Sequence, residues 1–349
     1  MLSGYFHRVA NETGTRFWIN LPTAREMDLA IEAGAVNCTT NPTYGSRLID
    51  DEPEYIAGLI DAAIAETTDN DVATEKSYFR ACGRIMRRFL SIYEESGGKS
   101  GFVTVQGDPR KDHDPDWIVA EALRARKIGP NFMAKIPATV AGIEAISRLA
   151  EQNVPICATE VFAVSQAIQL CDRYEDAASH SGHRPPFYLT HITGIFDRYL
   201  SELVERDKID VAPDVLKQAG WAVAHEQYRA VKERGYEVIM LGGGAMTPGH
   251  FTEMVGGGMD VTINWSLAKT LIEADGPVIS RMQIPAPEAV VAELSEKLPD
   301  FRKAYYEGEL SPDAYEGYGP LQLFRGMFLK GWLRLVDQIA ARRRTGAAG

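Results

Sequence analysis

Residues 131–159 read NFMAKIPATVAGIEAISRLAEQNVPICAT, and three patterns follow one another within them. Positions 131–136 are a short apolar run interrupted by one lysine, and 154–159 are a second β-type run. Between them, 140–152 place Ile143, Ile146, Leu149 and Ala150 at the spacing of one helix face. Strand, crossover helix and strand make the unit of a parallel sheet. Working outward, further strand-like runs at 16–20, 36–40, 101–106, 187–193, 237–241 and 260–263 bring the total to eight. Helical patterns at 23–33, 117–127, 162–173, 213–234 and 248–255 separate them. Eight repeats predict an α/β fold closed as a TIM (β/α)8 barrel. A doubly wound sheet fits less well, because no glycine-rich dinucleotide fingerprint follows the first strand. Two segments exceed the minimal repeat, a helical insertion at about 53–95 and a C-terminal helical tail at about 287–341. The tail carries Phe301, Tyr305, Phe324, Phe328, Trp332 and Leu335, too much apolar surface for a disordered end, so it should pack on the barrel or across its mouth. We read residues 1–349 as one domain.

Composition bounds the function. The chain is 45% apolar and 24% charged, with a formal charge of −11, which fits an ordinary folded protein and argues against a nucleic-acid or anionic-membrane partner. The one dense basic run, Arg342-Arg343-Arg344, reads as a solvated helix end. Cys38, Cys82, Cys157 and Cys171 are too scattered for a zinc site and too few for a disulfide framework. The N-terminal residues lack a signal-peptide pattern, and no run is long enough to span a bilayer. A cytoplasmic protein is the expectation. The seven histidines show no metal-ligand spacing, and no metal or cofactor is expected.

Barrel chemistry collects at the C-terminal ends of the strands, on side chains that alternate inward. In the fourth strand Met133 and Lys135 share the inward face, so Lys135 is carried toward the mouth. Burial there would depress its pKa and leave an amine able to attack a carbonyl. The alternative is a lysine that reaches solvent or pairs with a carboxylate. Parity also places Asn20, Thr39, Asn41, Thr104, Gln106, Asp108, Cys157, Thr159, His191 and Thr193 inward, a ring suited to hydrogen-bonding a polyol. The alternative for each is a satisfied polar core.

These segments are similar to the transaldolase family of class I aldolases, over about residues 16–335. Thr39-Thr40-Asn41-Pro42-Thr43 resembles the family's signature after the second strand. Lys135-Ile136-Pro137-Ala138-Thr139 resembles the Schiff-base segment, Cys157-Ala158-Thr159 the strand whose threonine positions the catalytic water, and Ile192-Thr193-Gly194 through Arg198 the substrate- and phosphate-binding segment. The resemblance implies Lys135, Thr159, Gln106 and Asn20 as catalytic positions. It implies Asn41, Thr39, Thr193, Arg198 and Gly244 as contacts to a sugar or sugar phosphate. The implied reaction transfers a dihydroxyacetone unit from a ketose to an aldehyde, without cofactor, in carbohydrate metabolism of the pentose phosphate kind. A stand-alone aldolase that releases the unit, or a non-catalytic sugar-binding relative, are the alternatives. Three positions depart from the family: Asn20 replaces its strand-one aspartate, Gln106 its strand-three glutamate, and Gly244-Ala245-Met246 its Ser-Phe-Arg phosphate grip. Acid–base duty then falls on another group. His191 is the first choice for its near-neutral pKa, with Asp108, Glu160 and Asp197 behind it, and its own alternative is a core histidine bonded to a carbonyl. Oligomeric state stays open, since the aromatic tail suits either a barrel cap or a homodimer interface.

Overall fold

The computed structural model describes residues 4–346. Its strands are β1 (Arg16–Asn20), β2 (Asn37–Thr39), β3 (Val103–Val105), β4 (Phe132–Pro137), β5 (Ile156–Val161), β6 (Phe187–Ile192), β7 (Ile239–Gly243) and β8 (Asp260–Ile263). They pair in chain order, all parallel, and β8 returns to β1 to close the (β/α)8 barrel that the repeat predicts. The first of the quoted strands extends one residue beyond its expected end, to Pro137. The second extends to Val161, which delays the following helix to Val164. Several crossover helices begin where a side chain meets the first free N–H groups. Thr23 and Glu26 cap each other reciprocally, Asp114 precedes Pro115, and Thr139 accepts from Gly142 N.

The sheet divides two apolar sets. Trp18, Phe102, Met133, Cys157, Tyr188 and Leu241 fill the barrel. The opposite faces of the strands, with Ala134, Ile136, Ala158 and Leu189, join the larger core under the helices. The N-terminal end of the barrel is shut by an ion pair. Arg16 donates to both oxygens of Asp260 at 2.9 and 2.7 Å, and Trp18 Nε1 donates to the same carboxylate at 2.8 Å.

The insertion forms the helices Pro53–Glu66 and Asn70–Glu95, and the tail forms Glu288–Lys297, Pro299–Tyr305 and the long helix Gly319–Gly346. The last of these crosses the mouth. Phe324 meets Phe162 beyond β5 with ring centres 6.3 Å apart, Trp332 meets Tyr78 of the insertion at 5.5 Å, and a Cβ at Gly331 would lie 2.8 Å from Thr43 Cα. Phe328, Trp332, Leu335 and Ile339 are buried, each contributing about 1.5–3 kcal/mol. Arg325–Asp112, Arg334–Asp50 and Arg342–Asp61 pin its polar side. The C-terminal basic run is therefore not simply solvated: Arg342 engages Asp61, and Arg343 donates to Asn70 and to the Thr67 carbonyl. The helix expected at 213–234 is broken into Pro213–Leu216 and Ala219–Glu233. Gly220 is pressed against Thr193, and its N–H is taken by the Asp197 carboxylate rather than by a helical carbonyl. Among the described residues no helix is long and apolar enough to cross a membrane.

Candidate active site

Lys135 lies one residue before the apolar Ile136-Pro137 end of β4 and faces inward above Met133. Only 6% of its surface is exposed. Its Nζ donates to the Thr40 carbonyl at 3.1 Å and stands 5.7 Å from the centre of the Phe328 ring, so the C-terminal helix roofs the lysine directly. Burial lowers its pKa, against the opposing pull of Cys157, Glu160 and Cys38. Burial thus weakens the amine's hold on its proton, the direction a nucleophilic lysine requires.

A polar ring surrounds it. Thr39 Oγ1 donates to Asn20 Oδ1 at 2.9 Å and lies 2.6 Å from Thr262 Oγ1, which joins β1, β2 and β8. Asn41 accepts from both Thr43 N and Thr43 Oγ1, a turn that ends β2 and leaves the side chain 7% exposed. Thr159 is fully buried, and its hydroxyl has no partner among the described residues. Gln106 Nε2 donates to Glu160 Oε1 at 2.9 Å, while its own carbonyl oxygen is also unpartnered. Burial, reinforced by Asp112, pushes the Glu160 carboxyl up to about 7. A small cavity of about 30 Å³ has Gln106, Asp108, Asp112 and Lys135 in its lining, room for little more than a water molecule.

The rim is ionic on the β3 side, where Asp108 pairs with Arg110 and Asp112 with Arg325. Behind it Glu121 accepts from Asp108 N with both oxygens at 3.1 Å, and a Cβ at Gly107 would lie 1.8 Å from that carboxylate. On the β6 and β7 side Thr193 donates to the Gly243 carbonyl at 3.1 Å, and Gly244 turns with φ 65°. His250 bridges this rim, accepting from Met246 N at 2.9 Å and standing 2.9 Å from Asp197 Oδ2.

Three expected site residues, His191, Thr193 and Arg198, are not brought to Lys135. His191 faces outward: Tyr188 belongs to the interior set and Thr190 Oγ1 lies 3.1 Å from inward Cys157 Sγ, so the intervening parity sends Leu189 and His191 to the helices. There His191 Nε2 donates to the Gly220 carbonyl at 2.9 Å. Burial holds its pKa down to about 4, although bonds to Gly220 and Gln227 oppose the shift. It is the core histidine of the alternative reading. Arg198 is exposed on the helix after β6 and pairs with Glu202 one turn on, with no contact to Lys135 or its ring among the described residues. The remaining expected positions, Asn20, Thr39, Asn41, Gln106, Thr159 and Gly244, lie in the inner strands or at their C-terminal ends with Lys135, whereas Thr193, on the face of His191, opens the helix after β6 and packs against Gly220. The sequence reading gave Glu160 and the tail residues Phe328 and Arg325 no first-rank role. A glutamate directly after an inward threonine within an apolar strand was the visible signal for the first.

A family model described as Transaldolase/Fructose-6-phosphate aldolase matches residues 18–308. A transaldolase of Mycobacterium ulcerans is 27% identical, over 64% of this chain and 67% of its own length. A transaldolase of Saccharopolyspora erythraea is 27% identical, over 64% of this chain and 63% of its own. Among solved structures, 2,3-dimethylmalate lyase aligns over 99% of this chain and 100% of its own at 11% identity, with a TM-score of 0.30 too low to support an inference.

Proposed function

This chain belongs to the transaldolase/fructose-6-phosphate aldolase family, and we propose that it transfers a dihydroxyacetone unit between a ketose and an aldehyde through a Schiff base on Lys135. The observation that carries the reading is the Lys135 amine itself, buried at the end of β4 beneath Phe328, held by one carbonyl and ringed by hydrogen-bonding side chains that include the Glu160 carboxyl. The amine adds to the ketone, water leaves, and the resulting iminium is the electron sink when the C3–C4 bond breaks. Asn20, Thr39 and Asn41 suit the hydroxyls of the bound unit, and the unpartnered Thr159 hydroxyl suits the water that hydrolyses the imine. The enamine then attacks a second aldehyde.

A stand-alone aldolase, in which the enamine is protonated instead, is the second reading, favoured by Gln106 at the strand-three position. Under either, a ketose without phosphate fits the mouth better. Arg198 pairs with Glu202 one turn along its helix, and the exit of β7 offers Gly244, Ala245 and Met246 in place of a cation.

Borohydride reduction with dihydroxyacetone, fructose or fructose 6-phosphate, followed by intact-mass spectrometry, tests the proposal. A covalent adduct is expected on the wild type and none on a folded Lys135→Ala variant, with fructose trapped at least as well as its phosphate. No adduct with any of the three ketones would refute the Schiff-base reading.

A further inference from the structure

One backbone position in the barrel is held in an unfavourable conformation, and it carries a buried acid. Glu160 lies at φ 61°, in the left-handed region that glycine adopts without strain. It sits in a β-bulge: Ala158 pairs with Leu189 but Val161 with His191, so β5 has one residue more than β6 across this interval. The bulge interrupts the alternation after Thr159 and delivers the Glu160 side chain to Gln106 of β3, across the strand that carries Lys135. The residue is 0% exposed. Gln106 holds Oε1, while Oε2 has no partner among the described residues. The charged groups that act on this carboxylate are Asp112 from the loop after β3, Lys135 from β4 and Arg325 from the C-terminal helix.

We propose that Glu160 is the proton-transfer residue of the Lys135 site, supplied by a bulge in β5 where the corresponding positions in β1 and β3 are the amides Asn20 and Gln106. The inference rests on the Schiff-base reading above. In cleavage, Glu160 Oε2 takes the proton of the C4 hydroxyl, whose O–H electron pair becomes the carbonyl of the departing aldehyde. The C3–C4 pair moves to C3, and the iminium becomes a neutral enamine. Glu160 is then a carboxylic acid. When the enamine adds to a second aldehyde, that proton goes to the new alkoxide. When no aldehyde arrives, it goes to C3, which regenerates the iminium for hydrolysis. Either route returns the carboxylate. The Gln106 amide is the positioning group, because by occupying Oε1 it leaves Oε2 for the substrate. A carboxyl that titrates near neutrality is suited to both directions of transfer.

The reaction can be isolated on dihydroxyacetone in D2O. The Lys135 imine of this ketone loses a proton from carbon to Glu160, and the return of deuterium appears in the proton spectrum as exchange of the CH2 signal. Wild type and Glu160→Gln are compared for exchange and, in parallel, for borohydride trapping. Trapping is expected to persist in the variant while exchange falls by about 10²- to 10⁴-fold. The wild-type exchange rate should rise with pH through about 7, and the residual rate of the variant should lack that step. Glu160→Gly, which fits the left-handed backbone, guards against a folding artefact and should show the same loss of exchange with imine trapping retained. Exchange within threefold of wild type in either variant overturns the proposal. Loss of trapping together with exchange overturns it too, by assigning Glu160 to imine formation. Absence of trapping in the wild type is a separate result, which refutes the Schiff-base reading on which the assignment stands.

Discussion

Replacing Glu160 by glutamine removes an ionisation while leaving the shape of the side chain and its bond to Gln106 in place, so its effect on stability depends on pH in a calculable way. The carboxyl ordinarily titrates at 4.5 and is pushed up to about 7 in the folded protein, mainly by burial. Between those values the native state keeps a proton that the unfolded chain has released. The contribution of Glu160 to stability is therefore fully present below 4.5 and is lost as pH rises through about 7. At about 1.4 kcal/mol for each pH unit, forcing ionisation in the folded state costs about 3 kcal/mol above neutrality. Glutamine does not ionise. The variant should come within about 1 kcal/mol of the wild type at pH 5 and exceed it at pH 8 by about 3 kcal/mol. With an unfolding entropy of about 0.7 kcal/mol/K for a chain of this size, that is a melting temperature higher by about 4 °C. Thermal or urea unfolding of both proteins at pH 5, 6, 7 and 8 measures the difference, in which the titrating groups that do not act on Glu160, such as buried Glu121, cancel. Parallel stability curves across that range, or an advantage that grows toward acid, would refute the reasoning.

The roof over the lysine gives a second expectation. Phe328→Ala should lower stability by about 3 kcal/mol through the cavity it leaves, and should move the pH dependence of imine trapping upward as Lys135 is rehydrated; an unchanged trapping profile would detach the helix from the site. His191→Gln should preserve both trapping and deuterium exchange, because the imidazole bonds to Gly220 outside the barrel. Its pKa is depressed from 6.5 to about 4, so the stability of the neutral buried ring is present above 6.5 and lost as pH falls toward 4. Acid unfolding should accordingly be shallower in the variant, and a variant that unfolds as steeply, or that loses exchange, contradicts this placement.

The barrel and its lysine were legible because the evidence for them is local. The strand at 16–20 matches β1, and the alternation that turns Met133 and Lys135 inward is unbroken along β4. Strand six shows where such reasoning runs out. Tyr188, Thr190 and Ile192 form one face and Leu189, His191 and Thr193 the other. Each set mixes polar with apolar residues, so composition does not decide which faces in. The decision comes from the fit of Tyr188 beside Trp18 in the interior, with ring centres 4.7 Å apart, a contact between distant strands. Glu160 was obscured for a different reason: a bulge shifts register without a turn residue to mark it. The roof over Lys135 is a long-range contact again. An aromatic helix at the end of the chain can be seen in the sequence, but the strand ends that Phe324 and Phe328 cover depend on docking against Phe162, Tyr78 and Thr43.

The ion pair of Arg16 with Asp260 makes the barrel a vessel open at one end only. Under the proposed reaction, ketone, departing aldehyde, incoming acceptor and the water of imine chemistry would all pass through the mouth, and the helix Gly319–Gly346 lies across it. Traffic in both directions then shares one gate.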